Sequence, residues 1–123
     1  ILAFEEFEAL RWLNYLNDKG RLLVNRQKLV PPVVYTGKFT YPANPFQELE
    51  GLIPQVYGIN GLKIADALGN AKLVSIVLLG ALSVFLDLPN ECWLQAIGTK
   101  LPERLVEQNL AGFKAGQKDG PSI

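Results

Sequence analysis

From Leu73 to Leu86 the chain is almost wholly apolar, interrupted only by Ser75, Gly80 and Ser83. No other feature constrains the fold so tightly. Those 14 residues form a helix of about 21 Å at 1.5 Å per residue, well short of the ~30 Å hydrocarbon core of a bilayer. The segment therefore reads as a central helix buried on most sides, with other elements wrapped round it. Gly80-Ala81 leaves room for another backbone to come close.

The start of the chain reads as a βαβ unit. Ile1 to Phe4 is a short apolar run, a candidate buried strand. A helix follows from about Glu5 to Asn17, with Phe4, Phe7, Leu10, Leu13 and Leu16 on one stripe. Glu5, Glu6 and Glu8 suit its positive N-terminus. Asp18-Lys19-Gly20 stops it, with Gly20 available as a left-handed cap. Arg21 to Asn25 is a second strand, and strand–helix–strand implies parallel pairing.

Residues 26–45 differ in character. Pro31-Pro32, Pro42 and Pro45 bound a run in which Val33, Tyr35, Gly37, Phe39 and Tyr41 alternate with Val34, Thr36, Lys38 and Thr40. Period two predicts extended chain, an edge strand or ribbon. Such a ribbon needs its own sheet or a partner subunit to lie on, and both remain open here. Phe46 to Gly51 predicts a short helical turn, and Leu52 to Ile59 a strand that Pro54 pushes to an edge or a late start.

The remainder is helical. Leu62, Ile64, Ala65 and Leu68 fit a helix ending at Gly69. Beyond the apolar run, Pro89 opens a helix at its first position and Gly98 ends it. Thr99 to Pro102 opens the last helix, which turns Leu105, Leu110 and Phe113 inward and runs to about Gly116. The expected fold is α/β, a three-layer sheet with helices on both faces and a helical C-terminal part. It occupies residues 1–116 as a single domain, with 117–123 as a flexible tail. Ile1-Leu2-Ala3-Phe4 enters as a strand at full stride with no basic region before it, unlike a signal peptide. The fold is accordingly expected to be incomplete at its N-terminal side.

Composition removes whole classes of chemistry. The sequence has no His and a single Cys, Cys92. Iron–sulfur clusters need several thiolates, zinc sites need grouped Cys and His, and a triad needs a His or equivalent base. A lone Cys also suits a reducing, cytoplasmic setting. With 12 basic and 12 acidic residues there is no surplus charge to drive binding to nucleic acid or anionic membrane.

The constellations that remain are modest. Gly58-Ile59-Asn60-Gly61 lies between strand and helix, where a phosphate can sit. It is neither G-x-G-x-x-G nor a P-loop, and it reads first as a turn needing positive φ. Glu5, Glu6 and Glu8, like Glu48 and Glu50, read as solvated helix ends rather than acid–base pairs. Cys92 sits near a helix start, where thiols are acidified, but it has no base beside it and reads as incidental. Asn25 ends a strand, where open parallel sheets place ligands; capping or backbone hydrogen bonding is its other reading. Asn70, Ser75 and Asn109 stand in helical context among apolar neighbours. The aromatic, Arg-containing ribbon from Arg26 to Phe46 has an interface composition.

Taken in order, Asn25-Arg26-Gln27 with Pro31-Pro32, Gly69-Asn70, Leu79-Gly80-Ala81-Leu82, Pro102-Glu103, Val106-Glu107-Gln108-Asn109-Leu110 and Phe113-Lys114-Ala115-Gly116 resemble the gamma-type domain of 2-oxoacid:ferredoxin oxidoreductases. The pyruvate, ketoisovalerate and indolepyruvate enzymes belong to this family, and the small indolepyruvate subunit is the nearest variety. The resemblance runs over nearly the whole chain. It implies that this is the later two-thirds of such a domain, since the family's Gly-rich opening and its aromatic, Arg-containing loop are absent. Ser75 stands where the family tends to show Asn.

The resemblance further implies a part in an enzyme with no complete active site in this chain. The enzyme decarboxylates a 2-oxo acid oxidatively, forms acyl-CoA and reduces ferredoxin. Thiamine diphosphate, iron–sulfur clusters and coenzyme A would belong to the assembly, with no cofactor bound by this chain. Thiamine-binding and ferredoxin-like subunits are the implied partners, and a second copy of the chain is a further one. Candidate ligand- or partner-facing residues are Asn25, Arg26, Pro31, Pro32, Asn70 and Asn109. A stand-alone scaffold or binding domain is the contrasting expectation.

Overall fold

The computed structural model describes residues 1–120. It comprises two compact units that divide between Gly58 and Ile59. The structure is mixed α/β, with a small sheet early in the chain and helices throughout its second half.

In the first unit, β1 (Leu2–Ala3), α1 (Glu6–Arg11) and β2 (Leu22–Asn25) form the expected βαβ start, and β3 (Val56–Ile59) completes a sheet of order β1-β2-β3. The β1–β2 pairing is parallel, with Leu2 opposite Leu23 and Ala3 opposite Val24. All four residues of β2 are buried, as expected of a central strand with neighbours on each edge. On one edge Leu23 N donates to Ile1 O at 2.9 Å, and on the other Leu22 N donates to Gln55 O at 3.0 Å. Ala3, Ala9, Leu22, Val24, Phe46 and Leu49 make the core, closed by Leu10, Leu13, Leu16 and Val56. Phe46 and Leu49 come from α2 (Pro45–Leu52), which starts with Pro45 in its first turn.

Three local expectations are corrected here. The first helix is shorter than its apolar stripe predicts and gives way to a 3₁₀ turn at Leu13–Tyr15. Gly20 is not left-handed; it is needed for space, since a Cβ there would lie 2.6 Å from Leu16 Cγ. The proline-bounded ribbon is not a strand. Pro32–Thr36 forms a 3₁₀ turn capped by Gly37 at φ 73°, with Val33, Tyr35 and Phe39 exposed. Alternation predicts extended chain only when a neighbouring strand supplies hydrogen bonds, and the prolines remove donors such a neighbour would use.

In the second unit, α3 (Gly61–Ala67) ends through Gly69 at φ 78°, as its sequence predicts. The apolar run becomes a 3₁₀ turn, Ala71–Leu73, followed by α4 (Val74–Ser83). Pro89 and Pro102 each sit one position before their helices, α5 (Asn90–Lys100) and α6 (Glu103–Asp119). The last helix therefore continues past Gly116, and Gln117 to Asp119 are helical rather than part of a loose tail. Residues 121–123 of that expected tail lie outside the described residues.

Helices α4 and α6 pack with almost no side chain between them at two points. A Cβ on Gly80 would collide with the carbonyl of Phe113, and a Cβ on Gly116 with the carbonyl of Val77. Each helix thus offers a glycine to the other's backbone. Gly112 adds to the approach, since a Cβ there would stand 2.7 Å from Ile76 Cγ2. Val77, Leu78, Ala81 and Phe113 are fully buried around this seam. Ser83 Oγ donates to Gly80 O at 2.7 Å, and Gln117 Nε2 donates to Ser83 Oγ at 3.1 Å and to Asn90 Oδ1 at 3.0 Å. These bonds account for the helical continuation through Gln117.

Replacing Gly116 or Gly80 with Ala forces these backbones apart and should lower the urea-unfolding free energy by about 3 kcal/mol. Gly98, within α5, has open space around the Cβ position. Gly98→Ala should therefore raise stability by about 0.5–1 kcal/mol through helix propensity.

Candidate functional site

The strands β1 and β2 end side by side, and the polar side chains of the first unit gather at those ends. Asn25 closes β2 at 1 % exposure. Its Nδ2 donates to Phe4 O and to Gln27 Oε1, both at 3.1 Å. It thereby ties the end of β1 to the loop that leaves β2. Glu6 N completes the tie by donating to Gln27 O at 3.0 Å.

Glu5 and Glu6 are buried here, at 6 % and 2 % exposure. This overturns the expectation of solvated helix-end carboxylates, while Glu48 and Glu50 are indeed exposed. Burying a carboxylate demands partners, and the fold supplies them from distant positions. Glu5 Oε2 accepts from Glu8 N at 2.9 Å, as an N-terminal cap. Its Oε1 accepts from Leu29 N at 3.2 Å and from the Tyr41 hydroxyl. Glu6 Oε1 accepts from Arg26 Nε at 2.8 Å. Its Oε2 is buried without a hydrogen-bond partner.

Arg26 is held twice, by Glu6 and by the Phe46 ring, whose centroid lies 3.8 Å from Arg26 Cζ. Gly58 on β3 makes that stacking fit, because a Cβ there would lie 2.9 Å from Phe46 Cζ and 3.0 Å from Arg26 Cδ. Neither Gly58 nor Gly61 adopts positive φ, so the expected turn conformation is corrected to a requirement for space at Gly58. Asn60 caps α3 by accepting from Lys63 N at 3.0 Å.

Tyr41 packs against Phe7 in a tilted arrangement, with ring centroids 5.3 Å apart and planes at 57°. Desolvation, its hydrogen bond to Glu5 and the charges of Glu5 and Glu6 hold its phenol well above the usual tyrosine range. Tyr41 is therefore a fixed donor, and Glu5 anchors both ends of the loop between Leu29 and Tyr41. A polar cleft of about 320 Å³ opens beside this cluster, lined among others by Glu6, Arg26, Lys28, Asn44 and Gln47.

The sequence-derived candidates thus divide. Asn25 and Arg26 come together at the strand ends, joined by Glu5, Glu6 and Tyr41, which the sequence reading did not select. Pro31 and Pro32 lie farther along the loop, Pro31 extended at φ −63° and ψ 146° and Pro32 starting the turn. Asn70 and Asn109 belong to the other unit. Asn70 accepts from Lys72 N at 3.0 Å and donates to Gln108 Oε1 at 3.0 Å, bracing the start of α4 on α6. Asn109 Nδ2 donates to Leu105 O at 2.8 Å within α6. Asn109 and the exposed Ser75 also line a cleft of about 400 Å³ among α4, α5 and α6. Cys92 is exposed in the first turn of α5.

Chemically the strand-end cluster is a brace. Both oxygens of Glu5 are engaged and Glu6 is paired with Arg26. Arg26, 44 % exposed at its side chain, and Lys28 are the groups that reach solvent.

The profile of the family "Pyruvate ferredoxin/flavodoxin oxidoreductase" matches residues 1–118. The indolepyruvate oxidoreductase subunit IorB of Archaeoglobus fulgidus is 30 % identical over 120 residues, covering 94 % of this chain and 60 % of that protein. The corresponding subunit of Thermococcus kodakarensis is 31 % identical over 125 residues, covering 96 % and 61 %. The chain therefore spans about three-fifths of the length of these relatives. Among solved structures, the gamma subunit of a keto/oxoacid ferredoxin oxidoreductase from Geobacter sulfurreducens superposes with a TM-score of 0.64 at 23 % identity. That match covers 96 % of this chain and 61 % of that one and establishes a shared fold.

The Tyr41–Glu5 contact gives a pH-dependent prediction. Tyr41→Phe should cost about 1 kcal/mol at neutral pH. The folded chain holds the phenolic proton more tightly than the unfolded chain, so this contribution is full below pH 10.0, the ordinary tyrosine value, and declines above it. Urea titrations at pH 8 and above pH 10 should show the gap between wild type and variant closing as pH rises.

Proposed function

This chain belongs to the pyruvate ferredoxin/flavodoxin oxidoreductase family, and on that premise we propose that it is the gamma-type part of a multi-subunit 2-oxoacid:ferredoxin oxidoreductase. The single observation that carries the reading is the family match over residues 1–118. The relatives' printed names, indolepyruvate oxidoreductase subunits, favour an aromatic 2-oxo acid as the substrate of the assembly. The reaction is oxidative decarboxylation of that acid to an acyl-CoA, with reduction of ferredoxin.

This chain supplies no reacting group to that chemistry. Its donor set does not fit a resident iron–sulfur cluster, because one thiol and no imidazole cannot replace the several thiolates a cluster needs. The carboxylates at the strand ends are committed to Arg26, Tyr41 and backbone N–H groups. Thiamine diphosphate and the clusters are accordingly assigned to partner chains, a thiamine-binding subunit and a ferredoxin-like one, in a cytoplasmic complex.

The role left to this chain is to shape and support those partners. Asn25 and Glu5 act by holding the strand ends and the loop rigid. Arg26, Pro31 and Pro32 belong to the surface the loop presents, where Leu29, Tyr35 and Phe39 are 59 %, 81 % and 63 % exposed. Large exposed apolar and aromatic groups beside a basic side chain are the composition of a binding surface. Asn70 and Asn109 act on the packing of α4 and α6. Residues 1–116 are assigned to the later part of one gamma-type domain.

Purification of the tagged full-length protein from its native extract, followed by mass spectrometry, tests this. Recovery of a thiamine diphosphate-dependent subunit and a ferredoxin-like subunit is expected. A monomer without such partners would favour a scaffold that kept the fold and lost the enzyme.

A further inference from the structure

Charge is distributed unevenly along a chain whose formal net charge is zero. Between Asp18 and Glu48 stand five basic residues, Lys19, Arg21, Arg26, Lys28 and Lys38, and no acidic one. Between Lys72 and Lys100 stand two acidic residues, Asp87 and Glu91, and no basic one. Each stretch contains a corner where its charge lies among exposed apolar side chains.

The basic corner is the loop that Glu5 clasps at both ends. It exposes Leu29, Val33, Tyr35 and Phe39 together with Lys28 and Lys38. The acidic corner joins α4 to α5 and exposes Leu86, Asp87, Leu88 and Glu91. Among the described residues, none of Lys28, Lys38, Asp87 and Glu91 forms a salt bridge. Exposed apolar groups rimmed by charge mark interaction sites, and corners of opposite sign are mutually complementary. Both are also fixed before contact. Glu5 and the 3₁₀ turn hold the basic loop. Leu86 N donates to Ser83 O at 3.2 Å, and Asn90 Oδ1 accepts from Gln117 Nε2, which holds the acidic corner. Little ordering cost therefore remains to be met on association.

We propose that the basic loop docks on the acidic corner of a second copy of this chain. Tyr35 and Phe39 pack on Leu86 and Leu88, and Lys28 and Lys38 face Asp87 and Glu91. The contact needs no thiamine-binding or ferredoxin-like subunit, so it goes beyond the assembly reading and stands or falls apart from it.

Sedimentation equilibrium of the purified full-length protein at about 0.05 M salt tests this with two charge-reversed variants, Lys28→Glu with Lys38→Glu and Asp87→Lys with Glu91→Lys. Wild type should exceed the monomer mass by about 100 μM. Each variant alone sets like charges against each other and should associate more than about tenfold more weakly. An equimolar mixture of the two variants restores opposite signs at every contact and should recover association. Wild type that stays monomeric overturns the proposal, even where it joins other subunits. So does a variant that associates as well as wild type, or a mixture that stays monomeric. If either variant fails to fold, carbodiimide cross-linking of mixed ¹⁴N- and ¹⁵N-labelled wild type decides. Lys28 or Lys38 joined to Asp87 or Glu91 in mixed-isotope peptides is expected, and their absence overturns the proposal.

Discussion

The helical unit depends on two glycine–carbonyl contacts, Gly80 against Phe113 and Gly116 against Val77. Because neither glycine carries a Cβ, α4 and α6 meet backbone to backbone, and the apolar side chains of α4 are left to fill the flanks. That explains how a nearly continuous apolar run is buried in so small a unit. Val77, Leu78 and Ala81 are sealed by α6, and α5 joins the packing through Trp93, whose ring centroid lies 5.9 Å from that of Phe113. Among the described residues no helix is long and apolar enough to cross a membrane. The same packing leaves Ile76, Leu79 and Ser75 of α4 facing the cleft with α5.

In the sheet unit the organising constraint is electrostatic. Two carboxylates are buried at the strand ends, and burial of a charge is tolerated only with charged or hydrogen-bonding partners. Glu6 obtains Arg26, and Glu5 obtains two backbone N–H groups and the Tyr41 hydroxyl. Apart from Glu8 N in α1, these partners come from β2's end and from both ends of the exposed loop. The brace therefore fixes where the loop begins and ends while leaving its aromatic residues outside, an arrangement suited to recognition by another surface.

How much of this is legible in the sequence depends on range. The βαβ start, the buried helix and the close approach at Gly80 follow from local pattern and chain order. Burial of Glu5 and Glu6 does not, because it is decided by Arg26, 20 positions after Glu6, and Tyr41, 36 positions after Glu5. An N-terminal helix carboxylate in isolation looks solvated. Gly116 reads as a helix terminator because Gly so often caps helices; here it is a contact surface inside a helix that runs on to Asp119. The alternating segment after Val30 reads as a strand, but the 3₁₀ turn prevails because no neighbouring strand engages it. Asn25 is legible as a strand-end side chain, and its bonds to Phe4 and Gln27 brace that end of the sheet. The family resemblance reached the family that the profile match shows, which the residues alone did not.

The central claim is that this chain completes an enzyme whose reacting groups lie in its partners. Reconstitution tests it most directly: 2-oxo acid- and coenzyme A-dependent reduction of ferredoxin, measured with the thiamine-binding and ferredoxin-like subunits in the presence and absence of the full-length protein. The account predicts no turnover by the protein alone and full turnover only when all parts are combined. Equal turnover by the partner subunits without it, or turnover by the protein in isolation, would contradict the account.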